Sequence, residues 1–92
     1  MIRSFADKET ERLWRTRRSI RFGAIAVRAL RSLFAVDVAA KVDDLRSPPG
    51  NRLERLRGDR EGQWSIRIDR QWRVCFIWEN GNAEQVEIVD YH

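Results

Sequence analysis

The hydrophobic period of this chain changes once, and that change constrains its fold more than any other feature. Ahead of the segment Asp43-Asp44-Leu45-Arg46-Ser47-Pro48-Pro49-Gly50-Asn51, apolar residues recur at helical spacing; from Leu53 onward they alternate. The segment itself gathers both prolines with Gly50 and Asn51, so it reads as a loop that leaves a helical half for a sheet half.

Within the first half, Met1 to Phe5 alternates as a short N-terminal strand does, with Ile2 and Phe5 set against Arg3 and Ser4. Asp7 is placed to cap a helix running from Lys8 to Arg18 around Leu13 and Trp14, and Ser19 to Phe22 breaks the pattern. A second helix follows over Gly23 to Ala40. Its Val27, Leu30, Phe34 and Val38, reinforced by Leu33, form a stripe expected to face the core, with Arg28 and Arg31 pointing elsewhere.

In the second half, Trp64, Ile66 and Ile68 alternate with Ser65, Arg67 and Asp69, while Trp72, Val74, Phe76 and Trp78 alternate with Arg73, Cys75 and Ile77. These are two strands joined by Asp69-Arg70-Gln71. Asn80-Gly81-Asn82 is a hairpin signal, and Ala83 to Tyr91 supplies the last strand, with Val86 and Ile88 on one face. The pattern predicts an α+β domain: an N-terminal strand and two helices packed on one face of a mainly antiparallel sheet. The opposite face stays partly open, and its parity includes Arg67 and Arg73, so a basic, concave surface is expected there. A chain of 92 residues suffices for one domain, taken as 1–92.

The formal charge is +4, and sixteen of the eighteen basic residues are arginine, whose planar fork matches phosphate and stacks on bases. A polyanionic partner is one reading and a merely solvated surface the other, so position has to decide. Cys75 is the one cysteine and lies in an alternating apolar run, which excludes a disulfide framework and a thiolate zinc site and points to a reducing compartment. With one histidine, and without a Gly-rich phosphate loop, the chain is expected to need no metal and no cofactor. No apolar stretch approaches the length of a membrane span, and the early charges of MIRSFADKET argue against a secretory signal; a cytoplasmic protein without membrane contact is expected.

The densest feature is Arg52, Glu54, Arg55, Arg57, Arg60, Arg67, Arg70 and Arg73, interleaved with Trp64 and Trp72. Arginine among aromatics suits RNA, although the tryptophans themselves have the parity of core residues. Asp90-Tyr91-His92 adds three groups able to exchange protons, and His92 is the one histidine; the plain alternative is a frayed end. Asp43 and Asp44, beside the Pro-Pro-Gly turn, read as helix-end or turn caps.

Four blocks carry a resemblance: Pro48-Pro49-Gly50-Asn51-Arg52-Leu53; Leu56-Arg57-Gly58-Asp59-Arg60-Glu61-Gly62-Gln63-Trp64-Ser65-Ile66; Gln71-Trp72-Arg73-Val74; and Val89-Asp90-Tyr91-His92. In order and spacing, and over the whole chain, they resemble the HigB-like toxins of the RelE superfamily, the toxins of bacterial type II toxin-antitoxin pairs. The resemblance implies a RelE-like ribonuclease fold and a ribosome-dependent endoribonuclease that cleaves mRNA in the ribosomal A site and inhibits translation. It implies that Arg57, Arg73, Asp90, Tyr91 and His92 match the catalytic cluster, and that Gln71 lies near the A-site codon. It also implies a HigA-like helix-turn-helix antitoxin, through whose complex alone operator DNA is bound. Where some members carry a histidine this chain has Glu54, and where some carry a lysine it has Arg57, which cannot lose a proton and can only stabilise charge.

Cutting RNA without a metal requires in-line attack by the 2′-OH, stabilisation of an anionic pentacoordinate phosphorus, and protonation of the leaving 5′-oxygen. Arg73 and Arg57 are candidates for the charge, His92 or Tyr91 for acid-base work, Asp90 for orienting His92, and Glu54 for an auxiliary base; Arg55, Arg60, Arg67 and Gln71 are candidates for holding substrate. The rival is a non-catalytic basic module that clamps RNA or an acidic protein. It needs the arginines but no docking of Asp90, Tyr91 and His92 beside Arg57 and Arg73. A DNA-binding regulator is disfavoured, since no helix-turn-helix is recognisable.

Overall fold

Alternation along the second half becomes a sheet whose register sorts side chains onto two faces. The computed structural model describes residues 1–90. Strands β1 (Glu54–Arg55), β2 (Trp64–Arg67), β3 (Trp72–Glu79) and β4 (Asn82–Asp90) form an antiparallel sheet in the order β1-β2-β3-β4. Residues directly opposite share a face, and the row Ile66, Val74, Ile88 is buried along its whole length. With Phe76 and Val86 this face packs against helices α1 (Lys8–Thr16) and α2 (Ala26–Val38), as the patterning predicts.

Helix α1 starts where Asp7 accepts a hydrogen bond from the Thr10 N–H (3.1 Å), and ends at Arg17, which turns left-handed so that its N–H reaches the Leu13 carbonyl. The Thr10 hydroxyl accepts from the Ile88 N–H in the buried interior (3.0 Å), which ties this helix to β4. The expected N-terminal strand is realised as two parallel bridges to β4, Ile2 with Ala83 and Phe5 with Val86. It is interrupted because β4 bulges between them: the register slips between Cys75 and Ile77, Gln85 takes φ +53°, and its N–H turns to the Ser4 hydroxyl (2.8 Å).

One expectation fails on α2. Val27, Phe34 and Val38 are 73%, 59% and 59% exposed and Leu30 is only half-buried, whereas Ala29, Leu33 and Val36 are the residues that face the core. The helix AVRALRSLFAVDV has apolar residues almost all the way round, so periodicity alone does not choose the inward face. Docking chooses it: Ala29 at the centre of the buried face lets the helix approach the sheet closely, while Asp37 accepts the Ile2 N–H (2.9 Å) from the N-terminal segment. A single 3-10 turn, Gly23–Ile25, replaces the first turn expected of this helix. Among the described residues no helix is long and apolar enough to cross a membrane.

The reassigned face has a direct consequence for stability. Leu33→Ala should lower the unfolding free energy by about 2–5 kcal/mol, whereas Phe34→Ala should change it by no more than about 0.5 kcal/mol. Urea denaturation followed by tryptophan fluorescence measures both, and equal losses at the two positions would contradict the assignment.

Candidate active site

On the open face of the sheet one register row crosses all four strands: Glu54, Ser65, Cys75 and Glu87. Ser65 and Cys75 form its floor and are fully buried although they lie on the face turned away from α1 and α2. Long side chains close over them instead. Arg60, from the loop between β1 and β2, reaches across to Glu87 Oε1 (3.0 Å) and Gln63 Oε1 (3.2 Å). Arg73 leans along the sheet, donating from Nε to Ser65 Oγ (2.9 Å) and from a terminal nitrogen to the Arg52 carbonyl (2.8 Å).

Cys75 registers this crowding. Burial pushes its thiol up from the ordinary value, Arg60 and Arg73 act against that rise, and Glu87 and Glu54 add to it. The thiol therefore stays protonated and is a packing group, not a nucleophile. Glu54 beside Ser65 in the register, Arg73 bonded to Ser65 and Arg60 bonded to Glu87 beside Cys75 come to a common place although they lie apart in sequence.

Arg55 and Arg57 extend the site outward. Arg55 sets its guanidinium 5.6 Å from the Trp64 ring centroid, and Arg57 precedes the 3-10 turn Gly58–Arg60 with its side chain exposed. Together with Glu54, Leu56, Asp59 and Arg60 they line an open concavity of about 710 Å³. Trp64 and Trp72 pack against the core, as their parity suggests, and Trp72 meets Phe22 edge to face at 5.5 Å.

The other end of the site is the β2–β3 turn. Arg67 is the register partner of Arg73 and donates to the Asp69 carbonyl (3.0 Å). The Gln71 amide nitrogen donates to Asp90 Oδ2 (3.0 Å). Asp90 stands opposite Trp72, on the pleat that faces the helices, whereas the β4 residue opposite Arg73 is Val89. Tyr91 and His92 lie outside the described residues.

Three contributors were not singled out from the sequence. Ser65 and Glu87 fix Arg73 and Arg60, but a serine and a glutamate on an alternating strand carry no distinctive signal. Asp69 was legible only as a strand connector. Its Oδ1 accepts the N–H groups of both Gln71 and Trp72 (2.8 Å each), and its Oδ2 pairs with Arg28 of α2 at 3.3 Å. This Asx-type turn sets the direction in which Gln71 leaves the sheet. Among the described residues no group of three or more His, Cys, Asp or Glu could hold a metal ion.

Comparison with known proteins shows the family and the fold. Residues 3–92 match the family model described as the RelE-like toxin of type II toxin-antitoxin system HigB. The chain is 38% identical over 85 residues to Toxin HigB-1 of Vibrio cholerae, covering 90% of each, and 40% identical over 60 residues to Endoribonuclease HigB of Proteus vulgaris, covering 65% of this chain and 64% of that one. In fold it is similar to a chain of the YoeB-YefM complex from Staphylococcus aureus, with a TM-score of 0.62 at 12% identity over 100% of this chain and 98% of the other.

The Asp69 turn gives a pH-dependent expectation. The Trp72 N–H is the largest influence holding the Asp69 carboxyl below its ordinary value; modest burial opposes it, and the Gln71 N–H and Arg28 assist. A carboxylate whose pKa is lowered by folding stabilises the fold above the ordinary carboxylate range, and that contribution is lost as pH falls through the lowered value. Asp69→Ala should therefore cost about 1 kcal/mol near neutrality and progressively less on acidification. Denaturant titrations at a series of pH values test this; a loss independent of pH would show that the carboxylate charge has no part in the turn.

Proposed function

Because the chain belongs to the HigB-like family of RelE-like toxins from type II toxin-antitoxin systems, we propose that it is an endoribonuclease that cuts mRNA in the ribosomal A site and thereby inhibits translation and growth. The observation that carries this reading is the convergence of Glu54, Arg60 and Arg73 around the Ser65–Cys75 floor, next to the arginine-lined concavity. The name of the Proteus vulgaris relative, an endoribonuclease, supports the same reaction class.

In the proposed reaction the ribose 2′-oxygen attacks the adjacent phosphorus, the bond to the 5′-oxygen breaks, and the products are a 2′,3′-cyclic phosphate and a 5′-hydroxyl. Arg73 stabilises the charge of the pentacoordinate state. Its guanidinium is oriented by the Ser65 hydroxyl and the Arg52 carbonyl, so part of the donor fork is fixed in direction before substrate arrives. Arg57 supplies a second positive charge from the rim, and Glu54, the register partner of Ser65, takes the 2′-proton as an auxiliary base. Tyr91 or His92 moves the second proton, with Asp90 orienting His92. Arg55, Arg60 and Arg67 hold the phosphates, and Gln71, bonded to Asp90, sits towards the codon. No metal is required, because the guanidinium groups supply the charge a metal ion would.

A small open site has few groups with which to align a flexible RNA, so alignment is left to the decoding centre, and the protein works in the cytoplasm. The partner is a HigA-like helix-turn-helix antitoxin, and operator DNA is bound through that complex. The Staphylococcus aureus structures similar in fold are toxin-antitoxin complexes, which supports an antitoxin partner.

Primer extension on mRNA from programmed ribosomes and on the same mRNA free in solution tests the reading. Cleavage is expected on the ribosome and little of it on free RNA; equal rates on both sink ribosome dependence, and ribosome binding without cleavage identifies a clamp instead.

The charge-stabilising role of Arg73 predicts that Arg73→Ala lowers the single-turnover rate on the order of a hundredfold while ribosome binding persists. Arg73→Lys should recover little, since lysine lacks the planar fork. His92→Ala should remove the limb of the pH profile on which the rate falls as the imidazole deprotonates; an unchanged profile would pass the acid-base role to Tyr91 and Glu54.

A further inference from the structure

Val27, Phe34 and Val38 stand 73%, 59% and 59% exposed on α2, on the side turned away from the sheet. At about 100° per residue these three and Arg31 fall within roughly 60° of one another, and from Val27 to Val38 the ridge is about 16 Å long. Among the described residues nothing buries this ridge. Single exposed apolar residues need no explanation, but three aligned over three turns of one helix mark an interaction surface. The candidate RNA site is elsewhere: it lies on the open face of the sheet, with the sheet itself between that face and α2.

The occupant is constrained by charge. Arg31 sits within the ridge and Arg28 borders it, both exposed. A second copy of this chain, packed about a two-fold axis on the same ridge, brings Arg31 towards its own counterpart, a like-charge contact that disfavours self-association. RNA is a poor fit, since Val27, Phe34 and Val38 neither neutralise phosphate nor offer the stacking platform that aligned aromatics give. A protein segment with an apolar ridge bordered by carboxylates satisfies both halves of the surface. We propose that the α2 ridge of Val27, Phe34 and Val38, with Arg31 among them, is the docking site for the antitoxin, which meets it with an amphipathic segment carrying acidic residues beside its apolar positions. This rests on the reading that the partner is an antitoxin and adds where it binds and by what chemistry.

The test uses the full chain and the protein encoded beside it in its operon, co-expressed and then titrated by calorimetry. Phe34→Asp and Arg31→Glu are the variants; both positions are exposed and outside the RNA site, so thermal melts and ribosome-dependent cleavage should stay as in the unaltered chain. Phe34→Asp should weaken the complex on the order of thirtyfold or more, and growth inhibition should then persist when the antitoxin is co-expressed. Arg31→Glu should weaken it less and reduce its salt dependence. If the unaltered chain binds its neighbour and both variants bind it equally well, the ridge is not the docking site while the antitoxin reading stands. If the unaltered chain does not bind its neighbour, both fall. If the chain alone sediments as a dimer that Phe34→Asp dissociates, the occupant is a second copy and the proposal is overturned.

Discussion

The parity of an antiparallel sheet is the constraint on which the rest of this molecule depends. Once Ile66, Val74 and Ile88 are buried in one row, the neighbouring positions on the three strands must all face the other way. Those positions hold Ser65 and Arg67, Arg73 and Cys75, Glu87 and Val89. A slip of one residue turns Arg67 of β2, Arg73 of β3 or Glu87 of β4 towards the core and Ile66, Val74 or Ile88 towards solvent, a penalty of several kcal/mol for each misplaced group. Core packing against α1 and α2 therefore sets the composition of the opposite face, and the candidate site inherits its register from side chains it never touches.

That face manages its charges in two ways. Arg60 is spent on Glu87 and Gln63 and serves as a lid over Cys75. Arg73 is oriented by a hydroxyl and a backbone carbonyl, Ser65 Oγ and the Arg52 oxygen. The raised thiol of Cys75 belongs to this arrangement, because it keeps the floor uncharged beneath two cations and two carboxylates.

The turn after β2 links the two sides of the molecule. Asp69 organises the backbone of Gln71 and Trp72 and pairs with Arg28 on α2, so the helix that carries the apolar ridge is joined to the end of the site nearest Asp90. As an ion pair it is largely solvated and contributes little to stability. Its value is geometric: it holds the turn at a defined angle to the helical layer, while Trp72 packs beneath it against Phe22.

What the sequence determined by itself is what local periodicity and short-range chemistry encode. The alternation in Trp64 to Arg67 and Trp72 to Trp78 places their side chains on the correct faces; Asp7 before Lys8 marks the helix start; and Arg67 and Arg73 fall on one open surface. The blocks around Arg57, Gln71 and Arg73 made the family legible. Tertiary structure alone decided which side of α2 is buried, since a helix apolar nearly all round has no preferred face until Ala29 meets the sheet. It alone brought Ser65 and Glu87 to the arginines they hold. Local pattern reports the direction of a side chain relative to its own element, whereas partners far apart in sequence are chosen by how those elements pack, which no window of residues contains.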